Sequence, residues 1–546
     1  MEKIVINTVS DKNTIYLNDQ LAQKLDIPFL KDTSLRFGYK IKDLDIKLDN
    51  KLEDNQILLS SNIVSSLNIP TTCNYDVKVE DNEIVLGPII GIYAGQRMLS
   101  LKRRVRLMQG FADEYNQVNG VIFVFCYDSL NKDNLTVEGF YYEPQRKIWV
   151  YTTLPYPSMV FKRGVMNKTQ REYLSSIYKN KMFNYKYFEK WDMYERLKNN
   201  KSVNSYLPLT KIYNNSQDAL DLLYRYNDIY IKPIAGKQGA GIFNVYIDKQ
   251  NNFVVKTTAN KQTTVNKYNT NDEIISFFNS NLEPKKFIIQ ETIDLKFKNR
   301  VMDFRLGYDK GIDGNWNNIM FVTRVSGDNS IVSNYKAGGK VVFPSDALKN
   351  YYNADSQQIK NLKEELLIAG NKIIEALELT SKHFGKVALD LAIDKDFKIW
   401  LIEVNLRFPD DTLENNLDES HKTYKKIKST NLLYCKYLSG FGSNVKTMPT
   451  IINHNNKLSS QKNSFKVYFY GEVQKVGMRK ALKTLGNELG IETKALNLKH
   501  KRIVRADIYC DEEDLYRFIE QAKDVNEQAY IKSISIISKK ENRTKD

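Results

Sequence analysis

Cysteine and histidine are scarce in this 546-residue chain, four of each. Cys73, Cys126, Cys435 and Cys510 stand far apart with no CxxC spacing, so neither a zinc site nor a disulfide framework is indicated. His383, His421, His454 and His500 are equally scattered. No Ser/His/Asp or Cys/His set stands out, which argues against chemistry through an activated side-chain nucleophile. No uninterrupted apolar run approaches the length that crosses a bilayer, and the opening MEKIVINTVSDKN lacks the apolar core of a signal peptide. A cytoplasmic protein without a membrane span is expected.

What the chain has in abundance is lysine and asparagine. Lysine and arginine number 81 against 65 acids, a net charge of +16, which raises the question of a nucleic-acid or anionic-surface partner. The excess is spread along the chain instead of being gathered in one arm, so no nucleic acid is expected. The densest aromatic and basic stretch, YKNKMFNYKYFEKWDMYERLKNN (178–200), puts Phe188, Trp191, Met193 and Leu197 on one side of a helical pattern and reads as an amphipathic helix with its approach. With 42% hydrophobic and 27% charged residues the composition is that of a globular protein. Its length predicts roughly three or four domains.

The expected organisation is as follows. Residues 1–84 contain a repeat: Ile15 and Leu17 recur as Ile57 and Leu59, and Leu25, Ile27 and Pro28 recur as Leu67, Ile69 and Pro70. A strand, a short helix capped by Asn18 or Ser60 and a Pro-ended exit, used twice, predict a small β-rich binding or assembly module. Residues 85–175 open on VLGPIIGIYAG, read as a buried strand with a Gly-rich end, and continue as α/β alternation. Helices and longer strands alternate through 176–437, and 438–463 reads as a linker. Residues 464–540 read as βαββαβ, a ferredoxin-like unit. The fold class is therefore α/β and α+β, multidomain.

Two segments carry chemistry. In KVALDLAIDKDFKIWLIEVN (386–405), two apolar strands flank the turn DKDFK, and folding about a centre near 396 sets Asp390 opposite Glu403, with Asn405 on the same face. Facing carboxylates repel unless one is protonated or a cation lies between them. Two carboxylates and an amide suit Mg²⁺, with a half-exposed hairpin as the plain alternative. In DIYIKPIAGKQGAGIFNVYI (228–247), Lys232 lies on an apolar strand and AGKQGAG lets backbone amides approach an anion, though no GK[ST] follows and a strand comes next, so this is no Walker loop.

The order of parts (Lys190, the Gly-rich hairpin, the strand KFIIQETIDL at 286–295, Arg305 in DFRLGY, Arg324 in FVTRVSG, then the acid hairpin) resembles the ATP-grasp superfamily, and in particular the YheC/YheD group of endospore coat-associated proteins. That resemblance implies an ATP-grasp core. Lys190 and Lys232 match lysines that contact the nucleotide. Gly236, Gly239 and Gly241 match the loop over its phosphates. Gln290, Glu291, Thr292 and Ile293 match the adenine hinge, and Asp294 a ribose contact. Asp390, Glu403 and Asn405 match ligands of Mg²⁺, with Mn²⁺ as a substitute. Arg305 and Arg324 match cations beside the transferred phosphoryl group, and Asn334, Gly338 and Gly339 match a loop near the acceptor. One departure is EVNLRFPDD, where Leu406 and Arg407 replace the group's small residues.

The segment YGEVQKVGMRKAL (470–482) resembles the acylphosphatase family, whose pattern is Gly-x-Val-Gln-Gly-Val-x-Phe-Arg. Gly471, Val473, Gln474, Val476 and Arg479 match, while Lys475 replaces a glycine and Met478 the phenylalanine. The resemblance gives Arg479 the phosphate and Asn497 the attacking water. A side chain at Lys475 counts against activity if that position requires positive φ. Together the resemblances imply an ATP- and Mg²⁺-dependent ligase that joins a small-molecule or peptide carboxylate to an amine or thiol through an acyl phosphate. Two alternatives stay open: a hydrolase of acyl phosphates whose ATP-grasp domain only binds nucleotide, and a non-catalytic assembly protein of a spore coat or envelope layer.

Overall fold

The computed structural model describes residues 12–27, 33–185, 188–235, 241–259, 262–297, 300–326, 339–380, 383–406, 413, 417, 422–443, 448–451, 462–498 and 502–539. The chain divides into two compact units: Met1–Phe183 with Gly311–Asn315 and Lys428–Asp546, and Asn184–Lys310 with Trp316–Ile427. Among the described residues, no helix is long and apolar enough to cross a membrane.

The first unit holds two sheets. A seven-stranded sheet gathers strands from the amino-terminal 87 residues and ends on Met448–Ile451, which pairs antiparallel with Asn74–Val77. A short strand thus lies inside the stretch that reads as a linker. The amino-terminal repeat is visible as an antiparallel pair, Ile15 facing Leu59 and Leu17 facing Ile57, each strand feeding a short helix. Asn18 caps the first helix through its side chain, which accepts from the Leu21 amide at 2.8 Å. Ser60 departs from the expectation. It makes no side-chain cap, because its buried hydroxyl accepts the Thr14 amide at 3.1 Å.

VLGPIIGIYAG is likewise not one strand. Glu83–Gly87 belongs to the seven-stranded sheet and Ile89–Tyr93 to the next. Pro88, with no amide hydrogen to donate, breaks the ladder between them. The second sheet has ten strands, in the order 182–183, 159–162, 89–93, 121–131, 136–143, 148–155, 530–539, 463–472, 503–510, 492–497. Its last four strands, with the helices Met478–Glu488 and Glu512–Ala522, are the βαββαβ unit. That unit joins the rest of the sheet where Trp149 and Val150 pair in parallel with Ser535 and Ile536.

The second unit holds two six-stranded sheets. Strands between 210 and 291 form one, backed by the helices Ser216–Tyr226 and Asn271–Asn281. The other is built on Arg300–Lys310, Trp316–Val325, Lys386–Ile393 and Ile399–Asn405. The helix Ser356–Glu378 covers one face of it, packing Leu362, Leu366, Ala369 and Ile373 against Phe304, Leu306, Leu389 and Leu391. Gly370 lets the helix come this close, since a Cβ there would stand 2.3 Å from the Tyr308 hydroxyl. From the helix Lys190–Leu197 and its approach, Phe188, Met193 and Leu197 pack into the same core, whereas Trp191 stacks on Tyr194.

Candidate functional site

The hairpin Lys386–Asn405 is closed by Asp394. One of its oxygens accepts the amides of Asp396 and Lys398, both at 2.9 Å, and the other accepts Trp400 Nε1 at 2.8 Å. Asp390 then faces Glu403, and Ala388 faces Asn405. Between this pair and the turn the register slips by one, so that Leu391 faces Leu401 and Ile402 is the extra residue. The bulge has a definite consequence. Strict alternation would put Leu401 and Glu403 on one face, but the additional residue sends Leu401 into the core and Glu403 to the opposite side.

Neighbouring strands complete that polar face. Arg305 lies opposite Asp390, and Asp303, two residues earlier, lies opposite Arg324. Arg305 grips Asp390 with two nitrogens, Nε on Oδ1 and Nη2 on Oδ2 at 2.9 Å. Arg324 bridges both aspartates, Nε to Asp303 at 2.6 Å and Nη2 to Asp390 at 2.7 Å. Asn405 Nδ2 donates to Asp390 Oδ2 at 3.1 Å. Asp303, Arg305 and Asp390 are buried. Burial alone pushes the Asp390 carboxyl up, but the two guanidiniums outweigh it and hold the group below its ordinary range.

Two lysines add to this cationic set. Lys190, in the first turn of its helix, reaches Glu403 at 3.6 Å. Lys232 donates to Gln290 Oε1 at 2.5 Å, and Gln290 Nε2 passes the chain on to Thr210 Oγ1 at 2.9 Å. Burial, partly offset by Glu403 and reinforced by Lys190, pushes the Lys232 ammonium down to about 8. The rest of the expected hinge is held by its own contacts. Glu291 accepts the Leu209 amide at 2.8 Å, Thr292 Oγ1 donates to Asp228 at 2.7 Å, and the Ile293 carbonyl accepts the Leu295 amide at 2.9 Å. Asp294 is exposed.

Gly241 has φ +72°, while Gly236, Gly239, Asn334 and Gly338 lie outside the described residues and Gly339 borders them. Leu406 is buried and Arg407 falls outside the described residues.

Two residues that sequence reasoning passed over belong to this framework. Asp303 carries a usable signal, the spacing of two from Arg305 on one strand. Asn184 carries none. Its side chain donates to the carbonyls of Lys386 and Leu406 at 2.6 and 2.8 Å and accepts the amides of Gly385 and Lys386 at 2.9 and 3.0 Å, fastening the open end of the hairpin.

Four cations, Lys190, Lys232, Arg305 and Arg324, face three carboxylates, Asp303, Asp390 and Glu403, leaving one net positive charge. Among the described residues no three His, Cys, Asp or Glu side chains gather as metal ligands. The residues that could hold a hard cation are Asp390, whose oxygens accept from Arg305, Arg324 and Asn405, with Glu403 and the Asn405 amide oxygen. This fits Mg²⁺, which takes one or two protein carboxylates and fills its remaining positions with phosphate oxygens and water.

A second candidate site lies in the βαββαβ unit, between the strand Asn463–Glu472 and the helix Met478–Glu488. Here φ is positive at Gly471 (+142°), Lys475 (+67°) and Gly477 (+81°). A Cβ at Gly471 would stand 2.0 Å from the Tyr530 carbonyl oxygen. The loop is braced by Gln474, whose Nε2 donates to the carbonyls of Leu498 and Ile503 at 2.9 and 2.7 Å, and by Asn526 Nδ2 on the Val476 carbonyl at 2.7 Å. Arg479, in the helix's first turn, and Asn497, at the end of its strand, are both exposed.

Comparison with known proteins matches two parts of the chain. A model of the YheC/D-like ATP-grasp family matches residues 179–438, and a model of the acylphosphatase family matches 465–546. The endospore coat-associated protein YheD of Bacillus subtilis (strain 168) is 25% identical over 454 residues, covering 79% of this chain and 94% of its own. The endospore coat-associated protein YheC of the same strain is 20% identical over 300 residues, covering 52% of this chain and 80% of its own. Among solved structures, N5-carboxyaminoimidazole synthetase from Staphylococcus aureus complexed with ADP is 12% identical, covering 79% of this chain and 97% of its own at a TM-score of 0.38. The chain carries a YheC/D-like ATP-grasp domain over residues 179–438, followed by an acylphosphatase domain over residues 465–546.

Proposed function

We propose that the ATP-grasp domain is an ATP- and Mg²⁺-dependent ligase that activates a small-molecule or peptide carboxylate as an acyl phosphate and passes the acyl group to an amine or thiol. The observation that carries this reading is the register Arg305–Asp390–Glu403, which collects two arginines, two carboxylates and Asn405 on one face, with Lys190 at 3.6 Å from Glu403. Asp390, Glu403 and Asn405 would hold the metal, which when bound would supply positive charge to offset the negative charge of the phosphates. Lys190 and Lys232 balance nucleotide phosphate charge. Arg305 and Arg324 are set to stabilise charge building on the transferred group. A carboxylate oxygen forms a bond to the γ-phosphorus as the bond to ADP breaks. The amine or thiolate then adds to the acyl carbon, and inorganic phosphate leaves, taking up the proton that an amine gives up. The names of both relatives as endospore coat-associated support the same association for this chain.

A second activity, hydrolysis of acyl phosphates, is supported by the family match and by the loop's positive φ at Gly471 and Gly477; the positive φ at Lys475, where a side chain is strained, counts against it. ADP release, screened against carboxylates paired with amines and thiols, tests the first reading, and phosphate release from acetyl phosphate the second. Glu403→Gln removes only a partly exposed ion pair, worth about 1 kcal/mol or less, and is expected to abolish metal-dependent ADP formation while the protein stays folded. Arg479→Ala is expected to abolish phosphate release from acetyl phosphate and to spare ligation. No ADP formation by the wild-type chain from any substrate pair, together with acetyl phosphate hydrolysis that survives Asp390→Ala but not Arg479→Ala, sinks the ligase reading.

A further inference from the structure

The C-terminal sheet has a face that its two helices leave uncovered. Phe465, Val467 and Phe469, with Val504, Ala506 and Ile508, point into the helical core, so Lys466, Tyr468, Tyr470, Arg505 and Asp507 point the other way. There the sheet meets the segment 98–108, a helix over Met98–Arg104 continued by a 3-10 turn over Val105–Met108. Tyr468, Tyr470, Ile503 and Ile537 share a core with Leu101, Val105 and Met108, and Tyr470 Oη donates to the Lys102 carbonyl at 2.7 Å.

This seam gathers cations from both sides: Lys102 and Arg106 from the segment, Lys466 and Arg505 from the sheet. The register puts Lys466 opposite Asp507 and Tyr468 opposite Arg505. Arg505 gives Nη2 to Asp507 at 2.8 Å, yet its Nε is buried and unbonded, as are Arg106 Nε and Asp507 Oδ1. Among the described residues, the side chains of Lys102, Arg106 and Lys466 make no hydrogen bond or ion pair. Burial, Lys466 and Arg505 together push the Lys102 ammonium down. Lys102 and the pair Lys466 and Arg505 repel across the seam, with Arg106 beside Tyr470, and among the described residues Asp507 is the carboxylate that Arg505 holds.

We infer that this seam is a binding site for a multiply charged oxyanion of the phosphate class, held by Lys102, Arg106, Lys466 and Arg505, separate from the acylphosphatase loop. Guanidinium groups supply paired planar donors and ammonium groups point charges, a set suited to phosphate oxygens. Because the cations come from two domains, the anion strengthens their docking as it binds. The inference is independent of the ligase reading.

Calorimetric titration of the full chain with inorganic phosphate tests it, on an Arg479→Ala background that disables the acylphosphatase loop and with sodium chloride at matched ionic strength as control. One phosphate is expected to bind and to raise Tm. Arg106→Ala and Arg505→Gln are each expected to weaken binding at least tenfold and to remove the Tm rise. Lys466→Gln, on the strand surface, serves as the variant least able to disturb folding and is expected to weaken binding severalfold. No phosphate binding to the Arg479→Ala protein overturns the inference. So does an affinity within twofold of that background in all three variants with circular dichroism unchanged.

Discussion

Lys475 holds φ at +67° in a loop whose family pattern has glycine there. A side chain in the left-handed region costs roughly 1–2 kcal/mol, and glycine recovers most of this while losing some to its freer unfolded state. Lys475→Gly is therefore expected to stabilise the full chain by about 0.5–1 kcal/mol in urea unfolding, and Lys475→Ala to change little. Lys232 gives a second test at this scale. Its ammonium titrates at about 8 in the fold against 10.5 for an ordinary lysine, so between those values the unfolded chain binds more protons than the folded one. Stability without ligand should therefore rise with pH across that window. Nucleotide affinity should run the opposite way, falling as pH passes 8 and the positive charge is lost. Thermal melts and nucleotide calorimetry at pH 7 and 9 check both trends, and Lys232→Met should flatten both.

The acid hairpin shows how much of an element can be read from sequence. Its symmetric centre and apolar runs were enough to set Asp390 opposite Glu403. The bulge at Ile402 was not legible, because one extra residue leaves no mark in an apolar run, yet it decides that Leu401 and Glu403 separate. Ser60 shows the same limit: a capping residue type was recognisable, but the tertiary claim on its hydroxyl by Thr14 was not. Asn184 is the extreme case, an isolated asparagine some 200 residues before the backbone groups it binds. Its four hydrogen bonds hold the hairpin end that carries Asn405. At about 1 kcal/mol each, with buried groups left unpaired on their loss, Asn184→Ala is expected to cost roughly 3–4 kcal/mol in denaturant unfolding. Asn184→Asp keeps the two acceptor bonds but sets a carboxylate oxygen against two carbonyls in a buried place, so it should cost at least as much.

At the scale of the molecule, the βαββαβ order of the last domain was readable because each of its elements is short, patterned and closed by its own turn. How that domain joins the chain was not, since pairing between strands almost 400 residues apart is fixed by an edge and not by any local signal. The ladder through Trp149–Ser535 and Val150–Ile536 merges the acylphosphatase domain with the sheet of residues 89–162. Ile148 is fully buried in the acylphosphatase domain's core. The Arg146 guanidinium lies 3.4 Å from the Tyr516 ring centroid, and Lys523 Nζ donates to the Arg146 carbonyl at 3.2 Å. An edge strand of the acylphosphatase domain is thereby covered, which removes a surface prone to pairing with other chains. A protease site placed between residues 452 and 461 tests the continuity directly. After cleavage the two pieces of the wild-type chain are expected to co-elute in gel filtration, held by the ladder and the apolar seam. Ile148→Asp, which buries a charge in that seam, should let the cleaved pieces separate at the same concentration. Separation of the cleaved wild-type pieces would mean that the shared sheet does not hold the domain, and that only the covalent connection does.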